Sequence, residues 1–298
     1  MEYATFGGTG ATVSRIGFGG ATLGLTNYVS AFDPEDPGDR ARMFEAIEVA
    51  LDGGINYYDT APGYGNGASE QVLGEALQGV PTSGGQPLFV ATKVGYGARG
   101  DVRASLEASL TRLRRDSVDL LQLHGESWTT QQTDDILSPR GMAEQLLSLK
   151  DEGLVKHIGF TTEDNNDSAY RMIASGVFDT IQVCYNLLFQ HPYEPSRPFG
   201  AMLEADRHGL GIATMRTTTS GTFQRWVQLV NPANTFDYSS ALVQFVLSNP
   251  YVDVALVGMR DADVVRANVA LADDLDGRIG LDALHEKYVT PGQTGRAQ

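Results

Sequence analysis

Short apolar, β-branched runs alternate along this chain with segments whose apolar positions recur at helical spacing, and the alternation persists from end to end. The runs occupy residues 15–19, 56–60, 88–94, 118–123, 157–161, 180–185, 211–215 and 254–257. Between them, helical patterning covers 41–51, 69–77, 102–114, 143–150, 168–173, 199–208 and 238–247; a further helix starts near Asp261, and another is predicted at 281–288. The first stops at Gly53-Gly54, a common helix-ending signal, and Asp101 is positioned to cap the one at 102–114. Most strand runs are apolar throughout, which suits a parallel sheet buried on both faces. Eight strand–helix units in 298 residues predict a closed (β/α)8 TIM barrel, a single domain spanning 1–298, in preference to an open doubly wound sheet. Segments 1–6 and 11–14 flank Gly7-Gly8 ahead of the first barrel run and are expected to pair as a β-hairpin closing the barrel floor. Residues 27–39, 125–139 and 217–237 read as long loops.

Composition narrows the function classes. At 42% hydrophobic and 20% charged, the chain can bury a large core and is neither disordered nor fibrous. A formal net charge of −15 argues against nucleic acid or an anionic membrane as a partner, since both demand clustered Lys and Arg. No segment reaches the ~18 apolar residues of a membrane span. The N-terminus lacks the basic and apolar regions of a signal peptide, so a cytoplasmic protein is expected. The single cysteine, Cys184, lies in an apolar run and reads as a small buried hydrophobe. His124, His157, His191, His208 and His285 show no pair at metal-ligand spacing, so no metal is expected.

Reacting groups of such barrels sit at the C-terminal ends of the strands. The second run ends in Asp59-Thr60-Ala61-Pro62-Gly63-Tyr64, the third in Thr92-Lys93-Val94, and the fourth in Gln122-Leu123-His124. Lysine occurs at only four positions, 93, 150, 156 and 287, so Lys93 inside an apolar run stands out. Each residue has a plain alternative: Asp59 as a turn former, Tyr64 as a packing aromatic, Lys93 snorkelling, His124 as a satisfied core histidine. Together at one rim they suit carbonyl reduction. An ammonium beside a phenol favours the phenolate and is expected to lower its pKa from about 10, while a carboxylate keeps the ammonium charged. Tyr64 would protonate the developing alkoxide, and His124 would hydrogen-bond the carbonyl oxygen.

The stretches Asn56-Tyr57-Tyr58-Asp59-Thr60-Ala61-Pro62-Gly63-Tyr64-Gly65, Ala91-Thr92-Lys93 and Asp119-Leu120-Leu121-Gln122-Leu123-His124 resemble the aldo/keto reductase family, over essentially the whole chain. The resemblance implies a (β/α)8 barrel that binds NADPH or NADH in extended form, with Asp59, Tyr64, Lys93 and His124 as the catalytic tetrad. It implies backbone contacts from Gly20 and Ala21 beside the nicotinamide, and polar contacts from Gln182 and Asn186. Thr161-Thr162 stand where the family usually has Ser-Asn, and Met215-Arg216 where it has Tyr-Ser, so Met215 replaces a stacking tyrosine. Ser220, Gly221, Gly258, Met259 and Arg260 follow strands seven and eight, where barrels often bind phosphate. Asn268 falls in the family's adenosine segment. Arg260, with Arg266, favours NADP(H), and NAD(H) stays open.

Gly95-Tyr96-Gly97-Ala98-Arg99-Gly100 spells a dinucleotide fingerprint, but it opens the third unit, and Asp101 occupies the helix-capping place. It reads instead as a loop over the barrel mouth. Tyr28, Tyr96, Trp128 and Phe223 are candidates for an aromatic pocket rim around a small carbonyl or alcohol substrate. The rival reading is an NADP(H)-binding redox sensor or channel-associated subunit with little turnover. Oligomeric state and substrate identity are not legible.

Overall fold

The computed structural model describes residues 1–28, 30–80, 86–193 and 199–281. A hairpin of β1 (Tyr3–Thr5) and β2 (Thr12–Ser14) precedes eight parallel strands: β3 (Ile16–Gly19), β4 (Tyr57–Asp59), β5 (Phe89–Gly95), β6 (Val118–His124), β7 (Val155–Thr162), β8 (Thr180–Cys184), β9 (Gly211–Met215) and β10 (Val254–Gly258). They pair in chain order, and β10 closes on β3 with Val257 opposite Phe18, giving a closed barrel. Helices follow the strands, among them Pro37–Asp52, Ala68–Ala76, Val102–Leu113 and Ala262–Asp273. No helix among the described residues is long and apolar enough to cross a membrane.

Strand alternation sorts side chains into two environments. On β4, Tyr58 faces outward and stacks on Phe18 with ring centroids 5.6 Å apart. Tyr57 faces inward, stacking on Phe89 at 5.0 Å. Phe6, fully buried, meets both inward rings edge-on at 5.6 Å, so the residue that follows β1 plugs the barrel floor. Gly7 and Gly211 allow this approach. A Cβ on Gly7 would meet Gly211 N at 2.2 Å, and one on Gly211 would meet the Phe6 ring at 2.6 Å. The lower barrel is thus apolar, with Leu120, Ala213 and Val254 joining the cluster. Further along the same inward faces come Asp59, two residues beyond Tyr57, and Lys93, four beyond Phe89 and opposite Gln122. The interior turns polar toward the C-terminal rim.

The hairpin and the barrel follow the sequence reading; some segments differ. Residues 130–137, read as loop, form helix Thr130–Leu137, started by a capping box in which Thr129 Oγ1 accepts from Gln132 N and Gln132 Oε1 accepts from Thr129 N. Helix Thr222–Val230 occupies part of the loop at 217–237 and buries none of its residues. The helix predicted at 281–288 lies, beyond Leu281, outside the described residues. Asp101 caps its helix as expected, its Oδ1 accepting from Ala104 N at 2.9 Å. Cys184 is buried, 1% exposed.

Phe6→Ala should cost about 3–5 kcal/mol of stability, as for other fully buried phenylalanines. A shift of the chemical-denaturation midpoint reads this directly, and a loss below about 1 kcal/mol would mean the floor is closed by other contacts.

Candidate active site

Asp59, Tyr64, Lys93 and His124 converge at the C-terminal rim. Lys93 Nζ donates to Asp59 Oδ2 at 2.5 Å, to the Thr60 carbonyl at 2.9 Å and to Tyr64 Oη at 3.3 Å. All three ammonium protons therefore have a partner, as a buried lysine requires. The loop carrying Tyr64 is seated backbone against backbone on helix Ala21–Gly24. Gly65 has φ +64°, and a Cβ there would meet Gly24 O at 2.1 Å. Tyr64 and His124 meet edge to face, their ring centroids 5.7 Å apart.

The electrostatics differ from expectation at Tyr64. Burial raises its pKa above the usual value of 10.0, and the Lys93 ammonium only partly offsets that rise. The phenol thus holds its proton throughout the neutral range. Burial pulls Lys93 down, but Asp59 and Tyr64 more than compensate, and the ammonium stays charged. His124 is lowered to about 4, first by burial and then by the Lys93 charge, so its imidazole is neutral with one N–H to donate.

Gln122, not singled out from the sequence, joins the group: its Nε2 reaches Asp59 Oδ1 and Gln182 Oε1, each at 3.2 Å. Its position two residues before His124 on one strand was the available signal, since both then share the inward face.

A cavity of about 650 Å3 opens beside the four residues. Among the cofactor candidates, Ala21, Thr161, Gln182, Met215, Arg216, Ser220, Gly258 and Arg260 line it; Gly20, Thr162, Asn186, Gly221, Met259, Arg266 and Asn268 do not. Several of these polar groups serve the scaffold. The Gly20 N–H donates to Asp59 O at 2.7 Å and its carbonyl accepts from Ser69 Oγ at 2.8 Å. The Thr161 hydroxyl donates to Gly125 O at 2.6 Å and accepts from Gly125 N at 2.9 Å, fixing the turn after His124. Thr162 Oγ1 accepts from Asp164 N. Asn186, fully buried, donates to Arg216 O at 2.9 Å and shapes the loop after β9, in which Arg216, Thr219 and Ser220 all have positive φ. Asn268 donates to Val264 O within its own helix, and Met259 packs in the core. Arg266 is ion-paired with Asp263 at 2.6 Å and lines a separate groove with Val49 and Asp273, away from this cavity. Arg216 instead pairs with Glu163 at 2.5 Å.

Of the four rim aromatics, only Tyr28 lines the cavity, its hydroxyl 3.4 Å from Ser220 Oγ. Tyr96 Oη is taken by Asp135 at 2.6 Å. Trp128 is buried, donating from Nε1 to Thr161 O at 2.7 Å. Phe223 packs on Tyr238 at 5.4 Å. None of these three lines the cavity, and each is held by a protein partner instead. The glycine-rich stretch after β5 also stays off the cavity wall, forming a short turn at Tyr96–Ala98.

Residues 15–274 match the aldo/keto reductase family. The chain belongs to that family. This aldo/keto reductase is 30% identical to L-galactose dehydrogenase of Arabidopsis thaliana, over 95% of this chain and 91% of that one. It is 28% identical to aldo-keto reductase YhdN of Bacillus subtilis, over 87% and 85% of the two chains. Its fold is shared with the crystal structure of an aldo/keto reductase from Klebsiella pneumoniae in complex with NADP and acetate. The TM-score is 0.72 at 22% identity, covering 100% of this chain and 99% of that one. Family membership makes the chain an NAD(P)H-dependent oxidoreductase of the carbonyl-reducing type.

In an NMR titration of this aldo/keto reductase, the His124 ring should keep its neutral shifts down to about pH 5 and titrate near 4. A midpoint near 6.5 would mean that neither burial nor Lys93 acts on it.

Proposed function

We propose that this protein interconverts a small-molecule carbonyl and its alcohol, with NADP(H) ahead of NAD(H) as cofactor and Tyr64 as proton donor. The observation that carries the reading is the hydrogen-bonded contact between Lys93 and a protonated Tyr64, beside a neutral His124. The residues around the cavity fit a dinucleotide. The Gln182 amide faces the cavity with only a sulfur contact at 3.6 Å on its Nε2, and a buried Arg260 nitrogen has no hydrogen-bond partner among the described residues. The Klebsiella neighbour was crystallised with NADP, which supports the phosphorylated cofactor.

When bound, the nicotinamide supplies or accepts the hydride. The chain handles the proton. As negative charge grows on the carbonyl oxygen, Tyr64 Oη transfers its proton there and the neutral His124 N–H hydrogen-bonds the same oxygen. Lys93 then donates to the phenolate that remains, and Asp59, held by Gln122, keeps the ammonium in place. Reduction starts from the protonated phenol and oxidation from the phenolate, so the upward shift of Tyr64 favours reduction at neutral pH.

Loss of NADPH absorbance at 340 nm with a panel of aldehydes, ketones and sugars tests the reading; no turnover on any carbonyl or alcohol would overturn it. Tyr64→Phe should lower kcat by about 100-fold or more while cofactor affinity holds. Wild-type turnover in that variant would remove Tyr64 as the acid. Because the phenol stays protonated, the reduction rate should change little from about pH 6 to about pH 9, whereas alcohol oxidation should climb over the same interval. Reduction that falls off near pH 8 would contradict the raised phenol pKa.

A further inference from the structure

Part of the cavity wall is built by Ser30, Phe32, Arg42, Arg260 and Asp261. Arg260 follows β10, and its guanidinium sits over this wall: Cζ is 4.2 Å from the centroid of the buried Phe32 ring, and Nη2 donates to Ser30 Oγ. Its Nη1 is buried and has no partner among the described residues. Arg42 comes from an unrelated element, helix Pro37–Asp52, and is held by Asp39 one turn earlier. Asp39 is itself fixed, its Oδ2 accepting from Asp33 N at 2.9 Å. The Asp33 N–H and Arg42 hold the Asp39 carboxyl below its usual range, and Arg260 adds to that effect, so both guanidiniums lie within the field of one carboxylate. Asp261, the other acid here, accepts from Asp263 N and caps helix Ala262–Asp273.

Two arginines from opposite ends of the chain thus face one cavity, one held over the Phe32 ring and the other by an acid on its own helix. Planar guanidiniums with unused N–H groups match the oxygens of a phosphate monoester. We infer that Arg42 and Arg260 together clamp the 2′-phosphate on the adenosine ribose of NADP(H), so that cofactor choice is read by the first barrel helix as well as by the end of the last strand. This rests on the dinucleotide reading above. It gives Arg42, which lines the cavity, the part that Arg266, on a separate groove, does not take.

Calorimetric titration of the full chain with NADP+ and with NAD+ tests the clamp on wild type, Arg42→Ala, Arg42→Lys and Arg260→Ala. Wild type should bind NADP+ more tightly than NAD+. Arg42→Ala should weaken NADP+ binding by about tenfold or more and leave NAD+ binding within about twofold, the size expected for one charged hydrogen-bonding group. Arg42→Lys should recover part of the loss, and Arg260→Ala should act in the same direction as Arg42→Ala. Retained NAD+ affinity also shows that the variant is folded. An unchanged NADP+ to NAD+ ratio in Arg42→Ala, an equal loss for both cofactors, or a wild type that prefers NAD+ would each overturn the clamp. Wild type that binds neither dinucleotide would overturn the functional reading itself, a separately recognisable result.

Discussion

The ion pair of Lys93 with Asp59 is the constraint around which the upper barrel is organised. Two opposite charges buried in a protein interior are tolerated only when their remaining hydrogen-bonding capacity is met. The Thr60 carbonyl and Tyr64 hydroxyl complete the ammonium, and Gln122 completes the carboxylate. The Tyr64 contact, at 3.3 Å, is the longest of the three lysine bonds. The proposed proton donor is therefore the least tightly held of the three acceptors, and the other two secure the ammonium's position without it. Arg at position 93 would bring a broader, planar head that this three-way arrangement does not fit.

The apolar floor makes that polar layer possible. Phe6, Tyr57 and Phe89 fill the bottom of the barrel, so the polar interior residues are concentrated near the opening. The lysines at 150 and 156 show the contrast. They pair with Asp179 and Asp119 in positions 32% and 59% exposed, where either basic residue would serve. A chain that otherwise uses arginine keeps a fully buried lysine where one compact charge must satisfy three acceptors at the end of β4 and in the loop that follows it.

Much of this was legible from local pattern. Continuous apolar runs revealed the strands, and residue types at their ends revealed the four converging side chains, because a parallel barrel puts every strand's C-terminus at the same rim. What escaped were relations between elements distant in sequence. Nothing local to Thr161 says that its hydroxyl will be taken by Gly125, or that Asn186 will hold the Arg216 carbonyl. The direction of the Tyr64 shift escaped for a similar reason. An adjacent ammonium can be inferred from sequence, but the depth of burial that outweighs it depends on the surrounding packing.

Arginine sharpens the same point. Arg260 and Arg266 are six residues apart, and the sequence reading takes Arg260, with Arg266 beside it, as favouring NADP(H). Arg266 lies in helix Ala262–Asp273 whereas Arg260 precedes it, so the two share no helix face. Arg266 consequently meets Asp263 and a different groove, while Arg260, ahead of the helix, reaches Phe32 and the cavity. In the proposed clamp the second guanidinium comes from Arg42, more than two hundred positions earlier, because closure of β10 on β3 brings the two ends of the barrel sequence side by side. A closed barrel makes its first and last units neighbours, so a ligand lying across that seam is recognised by residues that no local motif can contain.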